Sequence, residues 1–234
     1  VESRSKPVVL ITGAGGEVGH GLIARLGSEG YDNLVALDLR ELPSSLRKYC
    51  LSTHVGDICD HGLMDRLFAM YNINSVFHLA ALLSTRAEFA PATAHAVNVG
   101  GLINVLERAS VHGVSHGTCV KIIFPSSIAA YGFKNIDMKK EAGTVKENQF
   151  LEPVTMYGCN KVYCEQVGHW YGKHWRSLSG DERPIDFRCV RYPGLISGET
   201  IPSGGTSDYL PEMIHAAARG NDYECFVSSD TKIP

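Results

Sequence analysis

The chain has 234 residues and a mass of 25.5 kDa, enough for one large domain with a small appendage. Hydrophobic residues at 44% and charged residues at 20% suit a globular protein, and a net charge of −3 gives no electrostatic case for nucleic acid or an anionic membrane. No apolar run reaches spanning length, and the segment Val1 to Pro7 lacks a signal peptide's apolar core.

In chain order, Pro7 to Thr12 is a continuous apolar run that predicts a buried parallel strand. It leads directly into Thr12-Gly13-Ala14-Gly15-Gly16-Glu17-Val18-Gly19. Gly13, Gly16 and Gly19 permit a tight turn, close approach of backbone to a pyrophosphate, and close helix–strand packing. A helix follows over Glu17 to Glu29, with Val18, Leu22, Ile23 and Leu26 on one face. Its N-terminus offers free N–H groups and a positive dipole end to phosphate. The spacing is GxxGxxG, not GxGxxG, but the strand before and the helix after are those of a dinucleotide fingerprint.

Asn33 to Asp38 reads as the second strand and ends in Asp38-Leu39-Arg40. A carboxylate about twenty residues beyond the glycines accepts hydrogen bonds from an adenosine ribose and repels a 2′-phosphate, so NAD is favoured over NADP. Arg40 keeps some NADP use open, since a guanidinium there suits a phosphate. His54 to Asp57 closes a third strand, with Asp57 and Ile58 at the adenine edge. Leu63 to Met70 is helical. Ser75 to Ala80 is a strand whose end, His78-Leu79-Ala80-Ala81, is lean enough for cofactor contacts. A long helix is predicted from about Ala92 to Ala109, a strand over Lys121 to Pro125, a helix over Thr155 to Trp175 and a strand over Ile185 to Val190. Residues 132–152 and 194–208 read as irregular. The second stretch, rich in Gly, Pro, Ser and Thr, suits either a ligand-meeting loop or a solvated connection. The alternation defines an α/β fold with a doubly wound parallel sheet of the Rossmann type.

Tyr157 and Lys161 stand four apart near the start of the predicted helix, so phenol and ammonium share a face. A nearby ammonium favours the phenolate and makes a general base. Free tyrosine titrates near 10, so work at neutrality asks for roughly three units, ~4 kcal/mol, from its surroundings. Ser127, at the carboxyl end of the Lys121 strand, is placed to hold a substrate hydroxyl beside that base, with Ser126 the second choice. Joined to the glycine turn, the set suits oxidation of a hydroxyl. The seven cysteines (50, 59, 119, 159, 164, 189 and 225) include no CxxC and sit mostly in apolar stretches, pointing to a reducing compartment. The ten histidines fall in no zinc-binding spacing, so no metal is expected.

The combination of TGxxGxxG, a strand-end serine and YxxxK resembles the extended short-chain dehydrogenase/reductase superfamily from roughly Pro7 to Gly194. HLAALLS (78–84), PSSIAAYG (125–132), MYGCNK (156–161), RYPGLIS (191–197), GGTSDY (204–209) and CFVSSDTKIP (225–234) resemble its short-chain L-threonine 3-dehydrogenase branch. That resemblance implies NAD-dependent oxidation of the 3-hydroxyl of L-threonine to 2-amino-3-oxobutyrate, with Tyr157 as base, Lys161 as its partner and ribose anchor, and Ser127 orienting the hydroxyl. It implies further cofactor contacts from Asn98, Tyr192 and Leu195, and a substrate pocket with Ser84, Ser126, Thr206 and Asp208, the last facing the ammonium. It also implies a cofactor domain over 1–190, an incomplete substrate-binding region over 191–234, a homodimer, and a cytoplasmic or, after loss of a transit peptide, mitochondrial matrix location. A sugar-nucleotide epimerase or dehydratase of the same superfamily is the alternative. Residues 195–224 hold only Arg219 as a permanent cation for a diphosphate, against that alternative. A cofactor-sensing regulator without turnover is a second alternative, and the Tyr/Lys pair argues against it.

Overall fold

Strand β1 (Val8–Thr12) is buried along its whole length because it lies inside the sheet with both faces covered. The computed structural model describes residues 6–176, 184–198, 200–201, 204–229 and 231. β2 (Leu34–Asp38), β3 (Cys50–Val55), β4 (Ile73–His78), β5 (Val120–Ser127) and β6 (Ile185–Tyr192) complete a six-stranded sheet in the order β3-β2-β1-β4-β5-β6. Every neighbouring pair is parallel. This is the doubly wound arrangement read from the sequence. The order reverses between β1 and β4, so a crevice opens where the connections leaving their carboxyl ends part to opposite sides.

Alternation along the central strands divides the core in two. Val9, Ile11, Leu34 and Ala36 pack under Ile23 of α1 (Glu17–Ser28) and Leu46 of α2 (Ser44–Arg47). Leu10, Val35, Val76 and Ile122 pack against Met64 and Leu67 of α3 (His61–Met70) and Leu102 and Leu106 of α6 (Gly101–His116). α8 (Met156–Lys173) lies over the β5–β6 side, where Gly168 abuts Phe187 so closely that a Cβ would sit 2.1 Å from its ring.

The helix predicted over Ala92–Ala109 is three pieces. α5 (Pro91–His95) starts with proline at its first turn, a π turn covers Ala96–Gly100, and α6 runs on to His116, where Gly117 at φ 61° ends it. The stretch 132–152 contains α7 (Ile136–Ala142), capped by Asn135; it buries none of its residues, so it carries no apolar period to read. α4 (Ser84–Phe89) and α9 (Tyr209–Ala218) were also absent from the sequence reading. β3 stops at Val55, leaving Asp57 in the following turn, and β4 ends at His78, leaving Leu79–Ala81 beyond it. β5 and β6 reach Ser127 and Tyr192, whose Cα atoms pair in register. Within the 194–208 stretch Glu199, Pro202 and Ser203 lie outside the described residues, as do Asp230 and Lys232 to Pro234 of the CFVSSDTKIP segment.

Candidate active site

The turn between β1 and α1 is shaped by contacts only glycine allows. Gly13 has φ 68°, and a Cβ there would stand 2.6 Å from the Ala80 nitrogen and 2.8 Å from the Leu79 carbonyl carbon. The turn therefore lies against the chain leaving β4. A Cβ on Gly19 would meet the Gly13 and Ala14 carbonyl oxygens at 2.6 Å, which fixes the helix start against the turn. Gly16 is the α1 N-cap and is exposed, and no side chain caps the helix. The first N–H groups of α1 have no side-chain partner at the cap. Glu17 is exposed and Val18 half-buried beside it; burial and, secondarily, the Asp208 charge raise the Glu17 carboxyl above its ordinary pKa.

Asp38 ends β2 with its carboxylate already oriented. Oδ2 accepts from the Gly15 N–H at 2.9 Å and Oδ1 from the Arg40 N–H at 3.1 Å. Gly15, which the GxxGxxG count passes over, thus ties the glycine turn to the end of β2. Leu39 and Arg40 are exposed beside it. Asp57 accepts from the Cys59 N–H at 2.8 Å, and Ile58 is buried, its carbonyl accepting from Asn104 Nδ2 at 2.7 Å.

α8 carries Tyr157 and Lys161, and Thr155 caps its start by accepting from the Gly158 N–H at 3.0 Å. Gly158 sits on the 3-10 turn Ile128–Ala130 that follows Ser127: a Cβ there would lie 2.2 Å from the Ala129 oxygen. Ser127 Oγ accepts from the Ala129 N–H at 3.1 Å, holding the same turn. Lys161 is 3% exposed; its Nζ donates to the Pro125 carbonyl at 2.6 Å and stands 5.2 Å from the Tyr157 ring centroid. Tyr157 and Ser127 are both half-buried.

The electrostatics differ from the expected lowering of the phenol. Burial, with a lesser contribution from Cys164, pushes Tyr157 up to about 12, and burial draws Lys161 down to about 8. The protein alone, then, favours a neutral phenol over a lysine poised near its titration point. Extra positive charge must reach the crevice to favour the phenolate.

Several residues singled out in the sequence have other partners. Asn98, in the π turn, brackets one residue: Oδ1 accepts from the Leu82 N–H at 2.7 Å and Nδ2 donates to the Leu82 carbonyl at 3.1 Å and to Asn160 Oδ1 at 3.3 Å. It shapes the loop after β4. Ser126, 2% exposed, donates its hydroxyl to Glu165 Oε1 at 2.5 Å. Asp208 Oδ2 accepts from the Gly204 and Gly205 N–H groups at 2.9 and 2.7 Å. Ser84 and Thr206 do come together: the Thr206 N–H donates to Ser84 Oγ at 2.9 Å, and that hydroxyl donates to Thr206 Oγ1 at 3.3 Å. Tyr192 is half-buried at the end of β6, with Leu195 exposed three residues beyond.

In the sequence His78 is marked only as part of a lean strand end. It is buried at the end of β4, with Nδ1 2.9 Å from Thr12 Oγ1, its ring stacked near Phe124, and Lys161 Nζ 4.5 Å from the Phe124 centroid. Burial first, and the Lys161 charge second, push it down to about 3, so it is neutral. Among the described residues no group of three or more His, Cys, Asp or Glu could hold a metal ion, and no helix is long and apolar enough to cross a membrane.

A glycine turn at the switch point of a parallel sheet, with a carboxylate at the end of the next strand, defines a Rossmann-type nucleotide-binding fold. The family model of the NAD dependent epimerase/dehydratase family matches residues 9–232, and the chain belongs to that family. It is similar to the mitochondrial L-threonine 3-dehydrogenase of Bos taurus, with 33% identity over 97% of this chain and 56% of that protein. It is equally similar to an uncharacterized epimerase/dehydratase of Staphylococcus aureus, 34% identical over 95% of this chain and 64% of that one. The structure of a monomeric L-threonine 3-dehydrogenase from a metagenome, in its apo form, superposes with a TM-score of 0.82 at 37% identity, covering 97% of this chain and 67% of the other. The chain thus spans little more than half the length of the bovine relative.

Proposed function

We propose that this chain is the cofactor-binding and catalytic part of an NAD-dependent dehydrogenase that oxidises the 3-hydroxyl of L-threonine to 2-amino-3-oxobutyrate. The observation that carries the reading is the seating of α8: Gly158 rests on the turn after Ser127, with Lys161 buried against the Pro125 carbonyl. The helix that carries Tyr157 and Lys161 is thereby seated at the carboxyl end of β5, beside the turn after Ser127, which supports the reading. The similarity to the bovine and metagenomic enzymes supports threonine as the substrate.

The glycine turn fits a dinucleotide, since the uncapped α1 N-terminus and the tight glycine turn before it suit a pyrophosphate. Gly13, Gly16, Glu17, Val18 and Gly19 would hold it, Asp38 would accept from the ribose hydroxyls, and Leu39 and Arg40 would border the adenosine. Asp57 and Ile58 would meet the adenine, and Leu79, Ala80 and Ala81 would line the floor, with Asn98 acting through Leu82. Tyr192 and Leu195 would stand by the nicotinamide. Bound NAD⁺ supplies the hydride acceptor and a positive charge.

Ser127 donates to or accepts from the threonine hydroxyl and fixes it toward Tyr157. Tyr157 takes the hydroxyl proton as the carbon–hydrogen bond breaks. Lys161, protonated, stabilises the phenolate. Ser84 and Thr206 border the amino-acid pocket and Asp208 holds the 204–205 backbone there, with Ser126 contributing through Glu165. Residues 1–190 form the cofactor unit and 191–234 the beginning of the substrate unit. A homodimer in the cytoplasm or mitochondrial matrix completes the reading.

The test is a spectrophotometric comparison of L-threonine, other 3-hydroxy acids and UDP-sugars with NAD⁺. L-Threonine is expected to yield NADH. Epimerisation of a UDP-sugar with no NADH from threonine would replace this reading by the epimerase one.

A further inference from the structure

Glu165 lies one further turn along α8, so Tyr157, Lys161 and Glu165 follow one another on one helical face. Its carboxylate is 4% exposed and fully partnered. Oε1 accepts from Ser126 Oγ at 2.5 Å and from Arg191 Nε at 2.8 Å, and Oε2 accepts from Arg191 Nη2 at 2.6 Å. Arg191 stands on β6 opposite Ser126 in register. Its Nη1 donates to the Glu147 carbonyl at 2.7 Å, and its guanidinium lies 4.7 Å from the Tyr131 ring centroid. Two successive turns of α8 thus grip two successive residues of β5: Lys161 takes the Pro125 carbonyl and Glu165 the Ser126 hydroxyl. A slip of the helix by one residue would break both.

We propose that Glu165, anchored by Ser126 and Arg191, is a positioning residue that keeps Lys161 charged and keeps α8 in register with Ser127; the proposal rests on the dehydrogenase reading above. The groups facing Lys161 come from three elements: Tyr157, Cys164 and Glu165 on α8, His78 on β4, and the Pro125 carbonyl and Phe124 ring on β5. Around Glu165 stand Arg191 and Cys189 of β6, His169 of α8, and Ser126. Cys164 and Tyr157 are each pushed up to about 12, and His78 down to about 3, so all three are uncharged near neutrality. Cys164 first and Glu165 second oppose the effect of burial on Lys161, and with the Cys164 thiol uncharged near neutrality Glu165 is the anion that remains. A buried Glu165–Arg191 pair whose two charges cancel at Lys161 would affect stability and leave the titration of Lys161 unmoved.

The experiment measures kcat against pH, with NAD⁺ and L-threonine saturating, for the wild-type chain, Glu165→Gln, the double variant Glu165→Gln/Arg191→Met, and Ser126→Ala. In Glu165→Gln the alkaline limb is expected to fall by about one pH unit, a roughly tenfold loss of rate above it. The double variant leaves no unpaired guanidinium; its limb moves the same way by less. Ser126→Ala keeps the ion pair and lowers kcat with the limb in place. An unmoved limb in folded Glu165→Gln or in the folded double variant overturns the proposal, as does failure of both to fold, which would assign the pair to stability alone. If the wild-type chain gives no NADH from threonine, the substrate reading fails by itself. The pH dependence of NAD⁺ affinity, measured on the same variants without turnover, then decides the role of Glu165 by the same shift.

Discussion

Burying Lys161 works against the stability of the folded chain, and the direction is measurable. Its folded pKa, about 8, lies below its ordinary value of 10.5, so the unfolded chain binds the proton more tightly. The penalty is complete below about pH 8 and is relieved as pH rises from there to about 10.5. It amounts to ~3 kcal/mol. Tyr157 acts in the opposite sense above pH 10, where the unfolded chain ionises first and the native state loses stability. Chemical denaturation is therefore expected to show the wild-type chain gaining stability relative to Lys161→Met, which removes the buried charge, between about pH 8 and 10, the thiols that burial raises acting alike in both. The same variant is expected to lose threonine oxidation. Tyr157→Phe is expected to lower NADH formation by roughly 10²–10⁴ while NAD⁺ still binds, as loss of a general base does; unchanged turnover would remove Tyr157 from the mechanism. At Asp38 the Gly15 and Arg40 N–H bonds fix the carboxylate. Asp38→Asn removes the charge that repels a 2′-phosphate and is expected to narrow the preference for NAD⁺ over NADP⁺, read as the ratio of the two kcat/KM values.

At the scale of elements, two glycines govern how pieces meet. Gly13→Ala forces a side chain into the backbone leaving β4 at a φ of 68°. It is expected to destabilise the chain by roughly 1–3 kcal/mol and to abolish NAD⁺ binding, measured by denaturation and titration calorimetry. Gly158→Ala would press a methyl against the Ala129 oxygen and the Pro153 ring, 2.2 and 2.7 Å away. That moves the start of α8 off the Ser127 turn, so kcat is expected to fall with the affinity for NAD⁺ little changed. The β1–turn–α1 unit was legible in the sequence because its signals are local: an apolar run, three spaced glycines and an amphipathic helix. The Tyr157/Lys161 pair was legible for the same reason, being one helical turn. The π turn was not. It contains Asn98, whose side chain brackets Leu82, sixteen residues away in sequence. α7 was missed because a helix that buries nothing leaves no hydrophobic period.

Across the whole molecule, the sheet and the segment leading into α9 are joined where Ser84, at the start of α4, meets Thr206. If residues after 191 belong to a substrate unit, this junction places them over the crevice, and Ser84→Ala is expected to raise KM for L-threonine with little effect on NAD⁺ affinity. The sequence by itself determined the doubly wound sheet, the glycine turn, Asp38 and the Tyr/Lys face, since each depends on neighbours within a turn, a strand or one β-α unit. Only the tertiary structure decided how the two serines are engaged, Ser126 by Glu165 and Ser127 in the turn that follows it. Adjacent residues of a strand point to opposite sides, and it took the packing of α8 and β6 to place Glu165 on Ser126 and Arg191 on Glu165. It also decided the charge balance at the site: burial, a property of the assembled core, raises Tyr157 and lowers Lys161, where spacing alone predicted a lowered phenol. Proximity in sequence brings charges together, but the solvent that packing removes determines which of them survive.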